Sequence, residues 1–249
     1  MKASYFEFRF RVWIMLLLVV LGFWAPWIEL LHLGRRTTAW LWLGFKLGEL
    51  GLTPTSGIML ATALTIALAA VAAAIRVWGT AYLGANTVQN AEMKGGQVLA
   101  DGPYQYVRNP LYIGSFLTLA VICVLMSPSG AAVTLVLLAI FLFRLILGEE
   151  GFLASQLGEP YAAYCRAVPR LIPSLRPRVA GEGRKPRWGN ALLAEAMPLG
   201  ILISFAALSW QYDSELLERA ALISFGVSLV ARALSKPDPN PNPSQASAA

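Results

Sequence analysis

The chain is poor in the residues that most often do chemistry. One histidine, His32, stands among 249 residues, which excludes the usual His-rich metal sites and supports no metal assignment. Its two cysteines are Cys123, in an apolar stretch, and Cys165, in a basic one. They form no CxxC pair and no disulfide framework, and their depths are too different for a bond between them. Charge is scarce as well: 14% of residues are charged, against about 25% in an ordinary soluble domain. No repeat occurs at any solenoid period. What fills the chain instead is apolar: 57% hydrophobic residues and a mean hydropathy of +0.58. An integral membrane protein is expected. The net charge of +6 does not point to nucleic acid, because the basic residues crowd beside an apolar run. Inside-positive bias and anionic lipid account for them there. The expected partner is membrane lipid, with no nucleic acid; oligomeric state stays open.

Apolar runs at Val12–Ile28, Gly51–Ile75, Ala196–Tyr212 and Ala220–Ala231, plus a hairpin within 109–143, predict an all-α polytopic membrane protein of about six transmembrane helices. The first run follows Arg9 and Arg11 like a signal peptide. It is rich in Trp and Phe and lacks a small-x-small cleavage site, so it reads as a retained span. Pro198 lies near the start of the fifth run, and the last holds only 12 uncharged residues. Seven basic residues lie between Gly148 and Gly189: Arg166, Arg170, Arg176, Arg178, Arg184, Lys185 and Arg187. They place that segment and both termini in the cytoplasm, at a cell inner membrane. Arg35, Arg36 and Lys46 then fall outside; Trp40, Trp42 and Phe45 beside them fit an interfacial loop. The organisation expected is 1–95 for the N-terminal spans and loop, 96–180 for a motif region, 181–234 for a C-terminal helical pair, and 235–249 for a Pro-rich disordered tail.

The motif region is the informative part. Gly102-Pro103-Tyr104-Gln105-Tyr106-Val107-Arg108-Asn109-Pro110-Leu111-Tyr112 precedes a stretch, Asn109 to Phe143, without a charged residue, and Glu149-Glu150 follows it. Met126-Ser127-Pro128-Ser129-Gly130 supplies the turn. Each arm is about 17 residues, roughly 26 Å of helix. Two antiparallel arms return the chain to the side it left. Helices packed about 8–10 Å apart bring Arg108, Asn109 and Tyr112 beside Glu149 and Glu150. After the pair, Phe152, Leu153 and Leu157 share one face of an amphipathic helix that Gly158 ends, and Pro169 and Pro173 shape an extended exit. Singly, each feature has a plain reading: Arg108 a snorkelling anchor, Asn109 a helix N-cap before Pro110, Tyr104, Tyr106 and Tyr112 belt aromatics.

In this order and spacing they resemble the isoprenylcysteine carboxyl methyltransferase family and the related membrane phospholipid methyltransferases. Those enzymes carry Gly-x-Tyr-x-x-x-Arg-His-Pro-x-Tyr before a hairpin, then a Glu-Glu pair, a Gly-x-x-Tyr-x-x-Tyr segment and a Val-Pro-x-x-x-Pro exit. Here the likeness runs from Gln97 to Pro173, including Gly158, Tyr161, Tyr164, Val168, Pro169 and Pro173. It implies a methyltransferase using S-adenosylmethionine. The cofactor-binding positions it implies are Gln97, Val98, Leu99, Tyr104, Arg108, Asn109, Pro110, Tyr112, Glu149 and Glu150, with Arg144 and Arg170 toward the substrate. The acceptor it implies is a lipophilic or lipidated molecule, a carboxylate as in isoprenylcysteine methylation, with a lipid amine as the alternative. No catalytic base is assigned. Asn109 replaces the family histidine; it can donate or accept a hydrogen bond but cannot titrate.

Two other readings compete. Membrane sterol reductases share a related Arg-His-Pro hairpin but bind a nicotinamide cofactor, whose phosphates suit a basic pocket better than Glu149-Glu150. A structural or transport protein is the non-enzyme alternative. Against it, no span is expected to carry a buried charge that marks an ion path.

Overall fold

The computed structural model describes residues 2–32, 37–84 and 98–234, and among these every regular element is helical. Gln97 and the tail from Ser235 lie outside the described residues, as do Arg35 and Arg36. A short α1 (Tyr5–Arg9) leads into α2 (Arg11–Trp24), which breaks at left-handed Ala25 before α3 (Trp27–Leu30). The segment holding Trp40 and Lys46 is α4 (Ala39–Gly48), a helix capped by Thr38. It packs back on α5 (Pro54–Leu83), with buried Trp40 donating to Thr62 Oγ1 at 3.1 Å. The hairpin is α6 (Pro110–Cys123) and α7 (Pro128–Leu157), joined through a turn at Ser127, which caps α7. Then come α8 (Glu159–Ala167), α9 (Trp188–Ala194), α10 (Ala196–Leu208) and α11 (Ser214–Leu234).

Among the described residues, three helical stretches are long and apolar enough to cross a bilayer: Arg11–Leu30, Pro54–Leu83 and Pro128–Leu157. A fourth is counted if α9 and the α10 stretch, bent by 72° at Glu195, form one broken span. That is fewer than the six expected, for two physical reasons. Helix α6 has 14 residues, about 21 Å at the normal rise, short of the roughly 30 Å bilayer core. It stops in a turn before Pro128, which has no N–H for the Val124 carbonyl, and Trp40 and Ala39 N–H groups of α4 take the Val124 and Met126 carbonyls instead. Helix α11 carries Glu215, Glu218 and Arg219 in its first turns. The second arm differs in the other direction. Rather than ending at the Glu pair, α7 continues unbroken through Glu149 and Glu150 to Leu157, so the expected separate amphipathic helix is its last two turns.

The main core sits where α4, α5, α6 and α10 meet, around Trp40, Ala61, Val121, Ile201 and Phe205. Helices α5 and α6 approach so closely that a Cβ on Gly114 would stand 2.6 Å from Arg76 Cγ. That glycine leaves the lane in which the Arg76 side chain runs. A second cluster, Phe8, Phe141, Leu142 and Leu145, ties the N-terminal helix to α7. There Arg144 donates to both oxygens of Glu7, each at 2.9 Å, and Ala3 N–H bonds Arg144 O. Glu7 and Ser4 also form a capping box. The Arg144 guanidinium holds the Glu7 carboxyl down to about 2.

Candidate functional site

The site forms where the start of α6, the last third of α7 and the exit from α8 converge. Gly102 starts it with φ +58°, and a Cβ there would stand 2.5 Å from the Tyr82 ring, so glycine meets both the backbone and the packing demand. A single 3₁₀ turn, Gly102–Gln105, then buries Tyr104. Pro110 opens α6 at its first position, where its missing N–H costs nothing. Asn109 occupies the N-cap position but makes no side-chain cap bond. Its amide instead donates to Glu150 Oε1 at 3.0 Å and to the Arg170 carbonyl at 3.2 Å. That diversion from the ordinary cap role marks Asn109 as a residue holding the site together.

Glu150 is the hub. Besides Asn109, it accepts from Arg170 Nε at 3.0 Å and Nη2 at 2.9 Å, and Arg108 Nη1 lies 3.4 Å away. The Glu150 hydrogen bond raises the Arg170 pKa above its ordinary value. One turn deeper, Tyr112 donates its hydroxyl to Glu149 Oε2 at 2.7 Å. Arg11 of α2 acts electrostatically on both. The spacing of the two motifs thus brings Arg108, Asn109, Tyr112, Glu149 and Glu150 together, with Arg170 added from the exit segment.

That exit segment lies along the first motif like a belt. Arg108 N–H bonds Pro169 O, Ser174 N–H bonds Tyr106 O, and Arg178 N–H bonds Gln105 O. Gln105 Nε2 donates to Val179 O, and Gly183 N–H to Asp101 Oδ1. Beneath it, Tyr161, Tyr164, Val168 and Ala100 form a small core with Val98 packed against it. Tyr164 donates its hydroxyl to Tyr104 O at 2.8 Å. Leu99 is half-buried beside that core. Arg144 is not brought to Glu150; it sits one turn before the Glu pair, engaged by Glu7.

Three buried polar atoms have no hydrogen-bond partner among the described residues: Asp101 Oδ2, Tyr104 Oη and Arg108 Nε. An unmet buried donor or acceptor costs about 1–3 kcal/mol, so three within one motif, Asp101 to Arg108, mark a place built to receive polar groups. Burial keeps the Tyr104 hydroxyl protonated, its pKa well above the usual range. Tyr104 and Arg108 are expected site residues; Asp101 is one that the motif reading missed. Its signal was only adjacency to Gly102.

A second polar cluster was not anticipated. Arg76 of α5 donates Nε and Nη2 to the two oxygens of Glu195, both at 2.7 Å, and Nη1 to Ser115 Oγ at 3.0 Å and Leu111 O at 3.3 Å. Thr80 also donates to Glu195. Glu195 stands at the break between α9 and α10, 1% exposed in its side chain. A charge pair is therefore buried within the helical bundle. The pair closes on itself, so it does not mark an ion path.

Residues 57–160 match the family model described as phospholipid methyltransferase. The matched segment runs from α5 through both motifs to the start of α8. It supports a membrane methyltransferase that acts on lipid, which implies a methyl donor. No curated protein and no solved structure matches the chain.

Proposed function

We propose that the protein transfers a methyl group from S-adenosylmethionine to the headgroup amine of a phospholipid-class lipid. The observation that carries the cofactor assignment is the set of unpaired buried atoms, Asp101 Oδ2, Tyr104 Oη and Arg108 Nε, beside the Glu149–Glu150 carboxylates. The donor set fits this cofactor. Arg108 suits its carboxylate, the acids suit its ammonium or ribose hydroxyls, and tyrosines suit the face of a cation. When bound, the cofactor supplies a methyl group activated on a sulfonium. The chain's own residues do the rest. Asn109 and Arg170 fix Glu150, Tyr112 fixes Glu149, and the belt keeps bulk water from the motif. Rate then comes mainly from holding donor and acceptor in line in a dry site. Gln97, Val98, Leu99 and Pro110 complete the proposed cofactor-binding set, and the site faces the cytoplasm, where the cofactor is made.

The amine reading rests on the family match and on how the nearby arginines are engaged. The arginines near the site are already engaged: Arg108 and Arg170 share Glu150, Arg144 meets Glu7, Arg76 meets Glu195, and Arg11 acts on Glu149. Glu149 takes its bond from the neutral Tyr112 hydroxyl. With these arginines engaged and the matched family model described as phospholipid methyltransferase, we favour an amine headgroup over a carboxylate. Carboxyl methylation of the isoprenylcysteine type is the second reading, favoured by the buried Tyr161 and Tyr164 of the Gly-x-x-Tyr-x-x-Tyr segment. In it, Arg170 meets the acceptor carboxylate, and Arg144 does so once released from Glu7.

Purified protein in liposomes of mixed phospholipid, given methyl-labelled cofactor, tests both readings. The expected label is in an amine headgroup, stable to base, with turnover climbing between about pH 6.5 and 8.5 as the ammonium deprotonates. Base-labile label on a prenylated peptide, with a flat profile over that range, would overturn the amine reading.

A further inference from the structure

The C-terminal helices, beyond the segment matched by the family model, enclose something. Between α2, α6, α10 and α11 lies a cavity of about 430 Å³, within the range that holds a lipid-sized small molecule. Along α2 it extends from Arg11 to Phe23, twelve residues or about 18 Å at the helical rise. Its middle is lined by apolar side chains such as Val19, Leu119, Met197 and Phe225. The hydroxyls in that wall are turned inward to their own helices: Thr118 donates to Gly114 O and Ser228 to Phe225 O. A wall without open polar groups stays dry, because water needs two to four partners.

One end is polar, and it is the end next to the site. Arg11, Arg76, Ser115 and Glu195 line it. Ser115 is three residues, one helical turn, past Tyr112, and Arg11 also acts on Tyr112 and Glu149. Half-buried Glu218 marks the far mouth, where α11 begins. Glu195, locked to Arg76, holds the α9–α10 bend that shapes the near wall.

We infer that this chamber is the tail site for the acceptor, taking one acyl chain of a glycerophospholipid so that its headgroup emerges at Tyr112 and Glu149. This rests on the methyltransferase reading for the identity of the ligand as acceptor. The argument for an acyl chain is the shape: a slot running along the helices, apolar through its middle, with its cluster of polar groups on the side of the chemistry and the lone Glu218 carboxylate at the far mouth, and about as long as one bilayer leaflet. It gives the C-terminal pair a task, setting which tail is accepted, that the hairpin motifs do not perform.

The experiment uses the full chain in nanodiscs containing a phosphatidylethanolamine with a diazirine midway along one acyl chain. After illumination, the labelled peptides are mapped by mass spectrometry. Methyl transfer and S-adenosylmethionine affinity are measured on the same samples. Ala221→Trp fills the chamber from α11. Ile223→Trp adds the same bulk at a position that is 66% exposed and serves as control. The expected result is label on peptides spanning Met197–Ile201 and Ala221–Phe225, and a loss of about tenfold in that label with Ala221→Trp, as for an overfilled site. The acceptor KM rises by a similar factor, cofactor affinity stays within about twofold, and Ile223→Trp changes none of these. Label spread evenly over outward-facing residues overturns the chamber, as does a cross-linked dimer through it. If Ala221→Trp does not fold, Val19→Phe replaces it from the opposite wall with the same expectation. Methyl transfer with an acceptor KM unmoved by either variant overturns the tail site alone. Chamber labelling without cofactor binding overturns the methyltransferase reading alone and leaves a lipid-chain site.

Discussion

Two arginine–glutamate constellations sit within this bundle, and they differ in completeness. Around Glu195, both carboxylate oxygens and all three Arg76 nitrogens have partners, and Thr80 adds another. Around Glu150, Arg108 keeps an unmet Nε, Tyr104 an unmet hydroxyl and Asp101 an unmet oxygen. A satisfied buried network fixes geometry; a network with spare donors and acceptors stays in a folded protein only if something else meets them. The comparison separates a closed joint from a cluster with unmet groups, built from the same residue types.

Breaking the joint should give the largest effect. Glu195→Ala leaves Arg76 buried without its counter-charge and should destabilise the protein by about 3–5 kcal/mol, read from denaturant unfolding in detergent. Replacing both partners, Arg76→Met with Glu195→Leu, should restore most of that loss. Equal destabilisation of the single and double variants would show that the pair does not act as a unit.

The same deletion at the site should read out in binding. Glu150→Ala removes the group that organises Arg108, Asn109 and Arg170, and S-adenosylmethionine affinity should fall at least about tenfold, since a bond to a charged group contributes about 1.5–3 kcal/mol. Unchanged affinity in a folded Glu149→Ala, Glu150→Ala protein would sink the site assignment. Tyr104→Phe sharpens the contrast further. It deletes a hydroxyl that has no partner, so the cofactor-free protein should be as stable as before or slightly more so, while cofactor affinity drops by about 0.5–1.5 kcal/mol. Loss of stability with affinity intact would place Tyr104 among the joints.

The smallest effect belongs to the partly exposed Glu7–Arg144 pair, about 1 kcal/mol or less. Because the Glu7 carboxyl is held down from 4.5 to about 2 in the folded protein, its contribution is fully present above about 4.5 and is lost as pH falls toward 2. The stability gap between the native chain and Glu7→Gln should therefore be constant at neutral pH and close through that window. A gap that persists at pH 2 would place its source outside this ion pair.

How much of this could be read from the chain follows from sequence separation. The encounter of Arg108, Asn109 and Tyr112 with Glu149 and Glu150 was legible because a hairpin of known rise dictates it. The Arg76–Glu195 pair was not: its partners are 119 residues apart, and neither stands in a motif. Arg144 is expected toward the substrate from the resemblance alone. The structure engages it with Glu7, 137 residues away, a partner no periodicity announces. The exact end of α6 was less legible, because the local turn before Pro128 begins a few residues early and its Val124 and Met126 carbonyls are met by α4 donors far along the chain. The all-helical membrane class needed only hydropathy.

Helix α7 runs from Pro128 to Leu157 without a break and carries Glu149 and Glu150 on that rigid shaft. A shaft has no hinge, so the Glu pair cannot swing aside to let a water-soluble molecule in or out. If the site takes up a water-soluble molecule, the part able to give way is the strip from Pro169 to Gly183, which is fastened to the motif by a handful of separate bonds. Its outer side presents Ile172, 82% exposed, and a fully exposed Leu175 beside Arg176 and Arg178, a profile suited to resting on a lipid surface. Lifting the strip would then part those side chains from any lipid they rest on, so its release would cost apolar contact as well as hydrogen bonds.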